Sequence, residues 1–238
     1  MLLFFCAEAN GWENTCISDI ISVSKKIGEN HMKVLLVNGS PKADGCVGRA
    51  LQEMVSVFQE EGVETTVLHV GNKDIRGCIA CGRCGELGKC VFDDAVNEAA
   101  KLFEEADGVV FGSPVYYGSV NGTMLSFLDR LFYSTPFSKR MKVGAAVTSC
   151  RRGGNTATFD ILNKYFTISE MPVASSHYWN MVHGFTAEDV EKDLEGLQTM
   201  RTLARNMTFL MKSIALGREQ FGLPEKEKRT ATHFMDGK

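Results

Sequence analysis

A chain of 238 residues, 44% hydrophobic and 23% charged, has the make-up of a globular protein with room for one well-buried α/β domain plus extensions, and is short for two. Its formal net charge of -3 and pI of about 6.0 argue against the basic face of a nucleic-acid binder. No apolar run approaches the about 20 residues that a membrane span needs.

Met1 to Ala7 is apolar but very short, with neither the basic flank nor the cleavage site of a signal peptide. Residues 1–31 read as an extension outside the fold, with Met32 as its natural start; an arm packing on a partner subunit is the alternative. Lys33 to Asn38 is a short apolar run ending in Gly39-Ser40-Pro41, the pattern of a buried parallel strand entering a loop. Val47, Leu51, Met54, Val55 and Phe58 recur at helical spacing, and Gly62 stops that helix. Strands are predicted over Glu64–Val70, Gly108–Gly112, Lys142–Ser149 and Pro172–Tyr178, and helices over Asp93–Ala106, Thr123–Tyr133 and Asn155–Phe166. Thr186 caps a final helix, with Asp189 three residues on; an apolar stripe from Val190 and Leu194 to Leu210 and Ile214 continues it, and Gly217 ends it. The fold is expected over 32–217, with a charged tail over 218–238.

Strand and helix alternate, which implies parallel strands, right-handed crossovers and helices on both sheet faces. Five strands suggest the order 2-1-3-4-5. In such sheets ligands sit outside the carboxyl ends of the strands, where the order reverses. The loops after strands 1, 3 and 4 are therefore expected to meet there.

The first of these loops, Asn38 to Val47, exposes backbone N–H groups through its glycines and leads into a helix N-terminus, an anion site suited to a phosphate. It has neither a Walker A ending nor GxGxxG, which favours a mononucleotide over a dinucleotide. Gly39-Ser40-Pro41-Lys42 followed by Gly45 resembles the phosphate loop of the NADPH-dependent FMN reductase family, within the flavodoxin-like superfamily. That resemblance implies a flavodoxin-like three-layer α/β/α sandwich, bound FMN, and phosphate contacts from Ser40, Lys42, Gly45, Cys46 and Val47. The family often carries Asn-Thr where this chain has Cys46-Val47, so one hydroxyl ligand is lost and Ser40 plus backbone donors carry more of the contact.

Ser113-Pro114-Val115-Tyr116-Tyr117-Gly118, with Asn121-Gly122 beyond, resembles the second FMN loop of the family, in which Pro114 to Gly118 would hold the flat isoalloxazine ring. Ser149, Arg151, Arg152 and Gly153 follow strand 4. Their glycine allows close backbone approach, and one of the two arginines is expected to face the flavin or the incoming nicotinamide phosphate, favouring the anionic reduced ring. His177 to Gly184 resembles a stretch found in part of the family, which would place Trp179 or His183 over the flavin of a neighbouring subunit; a core Trp and a surface His are the alternative.

The chain has eight cysteines, and four of them form the run Cys78-x2-Cys81-x2-Cys84-x5-Cys90. Tight clustering without a signal peptide points to a reducing, cytoplasmic compartment and to metal or redox chemistry rather than to disulfides. The spacing opens like the bacterial ferredoxin run. It resembles the compact motif of the iron-sulfur flavoproteins, a branch of the same family with a [4Fe-4S] cluster beside FMN. Zinc on the same thiolates, or a metal-free loop of structural or redox-active thiols, are the other readings.

The expected activity is an FMN-dependent NAD(P)H oxidoreductase that passes hydride to flavin and on to a small acceptor: a quinone, a nitro or azo compound, or free flavin. The alternative is an iron-sulfur electron carrier working with a ferredoxin-like redox protein. No Ser-His-Asp or paired-carboxylate constellation stands out, so no protein acid or base is assigned. The resemblance also implies a homodimer or homotetramer.

Overall fold

The computed structural model describes residues 31–228 and 230. Apart from His31, the extension expected over 1–31 lies outside the described residues, as does the last stretch of the tail. The elements are β1 (Lys33–Asn38), α1 (Cys46–Glu60), β2 (Glu64–His69), α2 (Cys84–Leu87), α3 (Ala95–Glu105), β3 (Gly108–Tyr116), β4 (Ser119–Val120), α4 (Gly122–Ser134), β5 (Val143–Cys150), α5 (Asn155–Thr167), β6 (Met181–His183), α6 (Ala187–Val190) and α7 (Leu194–Phe221). No helix among the described residues is long and apolar enough to cross a membrane.

The strands lie in the order β2-β1-β3-β5-β6, all parallel, with β4 pairing antiparallel to β3 outside that path. Counting the parallel strands alone, this is the expected 2-1-3-4-5 flavodoxin-like sheet. Successive side chains of a strand point to opposite faces. Val34, Leu36, Val110, Ala145 and Val147 therefore pack with α1 and α7 on one side. Leu35, Val37, Val109, Phe111 and Ala146 pack with α3, α4 and α5 on the other. Helix α1 approaches β3 closely because Gly112 has no side chain: a Cβ there would stand 2.7 Å from Val47 Cγ1.

Three expectations are corrected. The fifth strand is Met181–His183, not Pro172–Tyr178. Val173 makes only an isolated bridge to Gly144, and the chain then leaves the sheet. The departure is local: Ser176 Oγ reaches Tyr178 O (2.6 Å) and Asn180 Oδ1 (2.7 Å), side-chain bonds that compete with a ladder. The last helix is two helices. Thr186 and Asp189 form a capping box on the short α6, and Asp193 restarts the chain as α7 by accepting from Gly196 N at 2.9 Å. It ends at Gly222, whose φ of 72° only glycine adopts readily, and not at Gly217, so the helix runs into the segment expected as tail. Leu194, expected in the apolar stripe, is 73% exposed. Finally, the segment expected as a loop over Ser113–Gly122 is largely a β-hairpin. Tyr117 (φ 51°) and Gly118 (φ 74°) turn β3 back into β4, the backbone a two-residue hairpin requires.

A charge network joins α1 to the chain's last helices. Arg49 contacts Glu53 (2.9 Å) and Glu191, and Glu53 also accepts from Arg201. Burial opposes charge on Glu53, but Arg201 and Arg49 prevail and hold its carboxyl below the ordinary 4.5. Because the folded value is the lower one, this stabilisation is present above about pH 4.5 and is lost as the pH falls through the folded value. Glu53→Gln is expected to cost about 1 kcal/mol near neutrality and less as the pH is lowered below 4.5, as read from urea denaturation across that range.

Candidate functional site

The site is built on the loop between β1 and α1. Asn38 closes it from within, accepting from Ser40 N (2.9 Å) and donating to Ala43 O (2.9 Å). Ser40 Oγ accepts from Lys42 N (3.2 Å), and His69 Nε2 donates to Ser40 O (2.7 Å). Two glycines let other backbone close in: a Cβ at Gly48 would fall 2.0 Å from Ala43 O, and one at Gly71 would fall 2.1 Å from Ser40 O. The N-terminus of α1 carries no side-chain cap. Its first N–H groups and positive dipole end therefore face the loop available for an anion.

Asn121 fastens the β3 loop to this one. It is buried, donates to Gly39 O (2.5 Å) and caps α4 by accepting from Met124 N (2.9 Å). Gly154 (φ 92°) brings the β5 loop against the hairpin, where a Cβ would stand 2.9 Å from Gly118 Cα. The three loops expected to converge do so.

Together they border an open cleft of about 550 Å³. Of the residues singled out from sequence, Ser40, Lys42, Gly45, Cys46, Pro114, Val115, Tyr116, Ser149 and Arg151 line it. Val47 does not: its side chain is wholly buried in the core under Gly112, which leaves only its backbone for a ligand. Tyr117 stands fully exposed on the hairpin tip, and Gly118 packs on Gly154 outside the lining. Arg152 and Gly153 are exposed and off the cleft, so Arg151 is the arginine that faces it. Trp179 and His183 are exposed and also outside the lining; His183 Nδ1 lies 3.6 Å from Asp193.

One wall escaped sequence reasoning. Gly184 to Glu188, after β6, also line the cleft. The Cys46 thiol donates to Thr186 O (3.3 Å) and pins this wall to the start of α1. Burial pushes the Cys46 thiol up, as it does Cys150, which lines the cleft and donates to Asn155 Oδ1. Both therefore sit as neutral thiols. The only sequence signal for this wall was the Thr186–Asp189 capping box, which marks a helix start but not where it docks.

The four clustered cysteines occupy a separate place. Cys78, Cys81, Cys84 and Cys90 all line one cavity, closed by α4 through Arg130 and Tyr133, with about 20 Å³ of free space. Among the described residues no three His, Cys, Asp or Glu side chains are gathered closely enough to hold a single ion. The donor set nonetheless fits a thiolate-bound metal group. Four cysteines border one space, and Cys78 and Cys81 are exposed on backbone bent by Ala80 (φ 52°) and Gly82 (φ 71°). Cys90 is different. Arg130, with none of its side chain exposed, donates to its sulfur from Nε (3.3 Å) and Nη2 (3.2 Å) and pairs with Asp94.

Known proteins resemble this chain in family and in fold. Residues 32–186 match the family described as NADPH-dependent FMN reductase. An iron-sulfur flavoprotein of Methanocaldococcus jannaschii is 35% identical over 194 residues, which cover 77% of this chain and 99% of that protein. RosB, solved with bound 8-demethyl-8-formylriboflavin-5'-phosphate, superposes with a TM-score of 0.63 at 13% identity over 87% of this chain and 95% of its own. A flavodoxin, WrbA-like protein of Agrobacterium tumefaciens superposes with a TM-score of 0.53 at 15% identity, over 77% and 99%. At such identities the two structures speak for the fold, whereas the family match and the archaeal relative speak for descent. This chain belongs to the NADPH-dependent FMN reductase and iron-sulfur flavoprotein family, and it has a flavodoxin-like fold.

Proposed function

We propose that this chain is a redox protein that holds FMN in the cleft and a [4Fe-4S] cluster on Cys78, Cys81, Cys84 and Cys90, and that it carries electrons between reduced partners and acceptors. The observation that carries this reading is the meeting of all four thiols on one cavity beside a buried arginine. Bound in these two places, FMN would supply an acceptor for one or two electrons and the cluster would supply electrons singly. The protein's own part is binding and tuning. Ser40 and the first N–H groups of α1 would take the phosphate. Pro114 to Tyr116 and Ser149 to Arg151 would flank the ring from two sides, and the Arg151 guanidinium would favour negative charge on it. A ferredoxin-like protein is the partner such a carrier implies. We also expect a homodimer or homotetramer in solution, which light scattering measures directly.

The test is anaerobic purification followed by flavin, iron and sulfide analysis. About one FMN and four iron atoms per chain are expected. Cys81→Ser is expected to lose most of the iron while keeping the flavin. Wild-type protein that takes up flavin but no iron after anaerobic reconstitution would refute the cluster.

A second reading has its own support. The cleft is wide and open, with Arg151 and the half-exposed Tyr116 at its lining, which suits a nicotinamide co-substrate and then a small acceptor such as a quinone. In that case NAD(P)H oxidation with a quinone is fast and survives Cys81→Ser. If electrons instead come from reduced ferredoxin, the same substitution abolishes transfer.

A further inference from the structure

Arg130 is unusual for a residue on a surface helix. It has no exposed side chain, and a buried guanidinium is tolerated only when its charge is paired and its protons are used. Asp94 answers the charge with two bonds, Nη1 to Oδ2 at 2.7 Å and Nη2 to Oδ1 at 3.0 Å. Two backbone carbonyls, Arg76 O and Phe92 O, accept further protons. The remaining acceptor is Cys90 Sγ, met by both Nε and Nη2. A neutral thiol is a weak acceptor and a poor use of the only proton on Nε, whereas a metal-bound thiolate is a strong one.

The backbone of Cys90 is held as well. Asn97 Oδ1 accepts from Cys90 N (3.0 Å), and Asn97 Nδ2 donates to Cys90 O (3.1 Å). Cys78 and Cys81, by contrast, are exposed, although they border the same cavity. The four sulfurs are therefore unequal: one is clamped in advance at main chain and side chain, and others are free to close on a guest.

We infer that Arg130 is a positioning residue for the four-cysteine site, fixing Cys90 as the anchor through two N–H···S hydrogen bonds and raising the reduction potential of the cluster bound there. The inference rests on the cluster reading above and adds to it which residue sets the potential. The reasoning is electrostatic. Reduction adds one electron, and the added negative charge spreads over the sulfurs. Donors aimed at a sulfur stabilise the more negative state, so removing them favours the oxidised one.

Arg130→Lys separates hydrogen bonding from charge, because the ammonium can still pair with Asp94 but cannot present the fork to sulfur. Arg76→Lys is the control: Arg76 is exposed and, like Arg130 (5.1 Å), stacks on the Phe92 ring (4.8 Å), with no bond to a cysteine. The measurement is the midpoint potential of the reconstituted cluster by dithionite titration, alongside flavin and iron content. Arg130→Lys is expected to shift the one-electron equilibrium toward the oxidised cluster by about tenfold, which is about 59 mV, with FMN content unchanged. Arg76→Lys is expected to leave it unmoved. Equal potentials in wild type and Arg130→Lys, or equal shifts in both variants, overturn the inference while the cluster reading stands. A wild-type chain without iron overturns both.

A measurement on unaltered protein covers the case in which the variant does not fold. Wild-type chain labelled with 15N-arginine and carrying a reduced cluster is expected to show a 15N hyperfine coupling by electron–nuclear double resonance. Its absence overturns the inference.

Discussion

Gly48→Ala is expected to weaken FMN binding by about 100-fold, the scale of loss that an ångström-sized displacement at a positioning group produces. By propensity alone the change should help: alanine inside a helix is favoured over glycine by about 1 kcal/mol. Contact decides otherwise. The new Cβ would lie 2.0 Å from Ala43 O, a backbone atom that cannot rotate aside. Ala43 O is the acceptor for Asn38 Nδ2, and the same amide holds Ser40 N, so moving Ala43 moves the serine expected at the phosphate. Fluorescence titration of the apoprotein with FMN gives the affinity. Gly217→Ala serves as the control, since nothing lies within 4 Å of its added Cβ and α7 would only gain from it. An affinity for the Gly48 variant within a few-fold of wild type would show that the loop does not hold the phosphate in this arrangement.

The largest effect on stability is expected at Asp94. Asp94→Ala removes the bidentate partner of a guanidinium with none of its side chain exposed, and stranding a buried charge costs about 3–5 kcal/mol. It also removes the cap of α3, where Asp94 Oδ1 accepts from Val96 N (3.1 Å), worth about 1 kcal/mol more. Asp94→Asn keeps the oxygen that accepts from both Val96 N and Arg130 Nη2 and loses the charge, so the difference between the two variants reports the cap together with that one bond to Arg130. Burial by itself would lower the Arg130 pKa, but Asp94 and Cys90 outweigh it and keep it raised. Arg130 therefore stays charged at every pH near neutrality, and the penalty does not titrate away. Urea midpoints of the FMN-saturated proteins measure it. If both variants unfold within 1 kcal/mol of wild type, Arg130 is not the buried hub that its contacts describe.

Much of the candidate site is legible in the sequence. Its loops are short runs of glycine, serine and proline at strand ends, and their chemistry is local: which backbone N–H groups are free, and which residues tolerate a tight turn. Ser40, Gly45, Pro114, Tyr116 and Ser149 could therefore be named from sequence, and all five line the cleft. Val47 and Tyr117 could not be placed in the same way, because position in a loop does not say which way a side chain points. Val47 turned into the core, where Gly112 left space, and Tyr117 turned to solvent at a hairpin tip that only its backbone angle reveals. The fifth strand was misplaced for a related reason. Pro172 to Tyr178 has the composition of an edge strand, yet the ladder with β5 resumes only at Met181, after Ser176 has taken the local hydrogen bonds.

The sequence alone determined whatever depends on neighbours along the chain. That includes the alternation of strands and helices and hence the parallel sheet, the helix start behind a glycine loop, and four cysteines gathered in one short run. The tertiary structure decided whatever depends on partners far apart in sequence: Arg151 rather than Arg152 at the cleft, the wall at Thr186 pinned by Cys46 from 140 residues away, and the Arg130 fork on Cys90 across 40 residues. The physical reason is range. Backbone propensity and hydrophobic period act over a few residues and leave their mark in the sequence, whereas a buried charge finds its acceptors only once the sheet and its helices have set the distances between them.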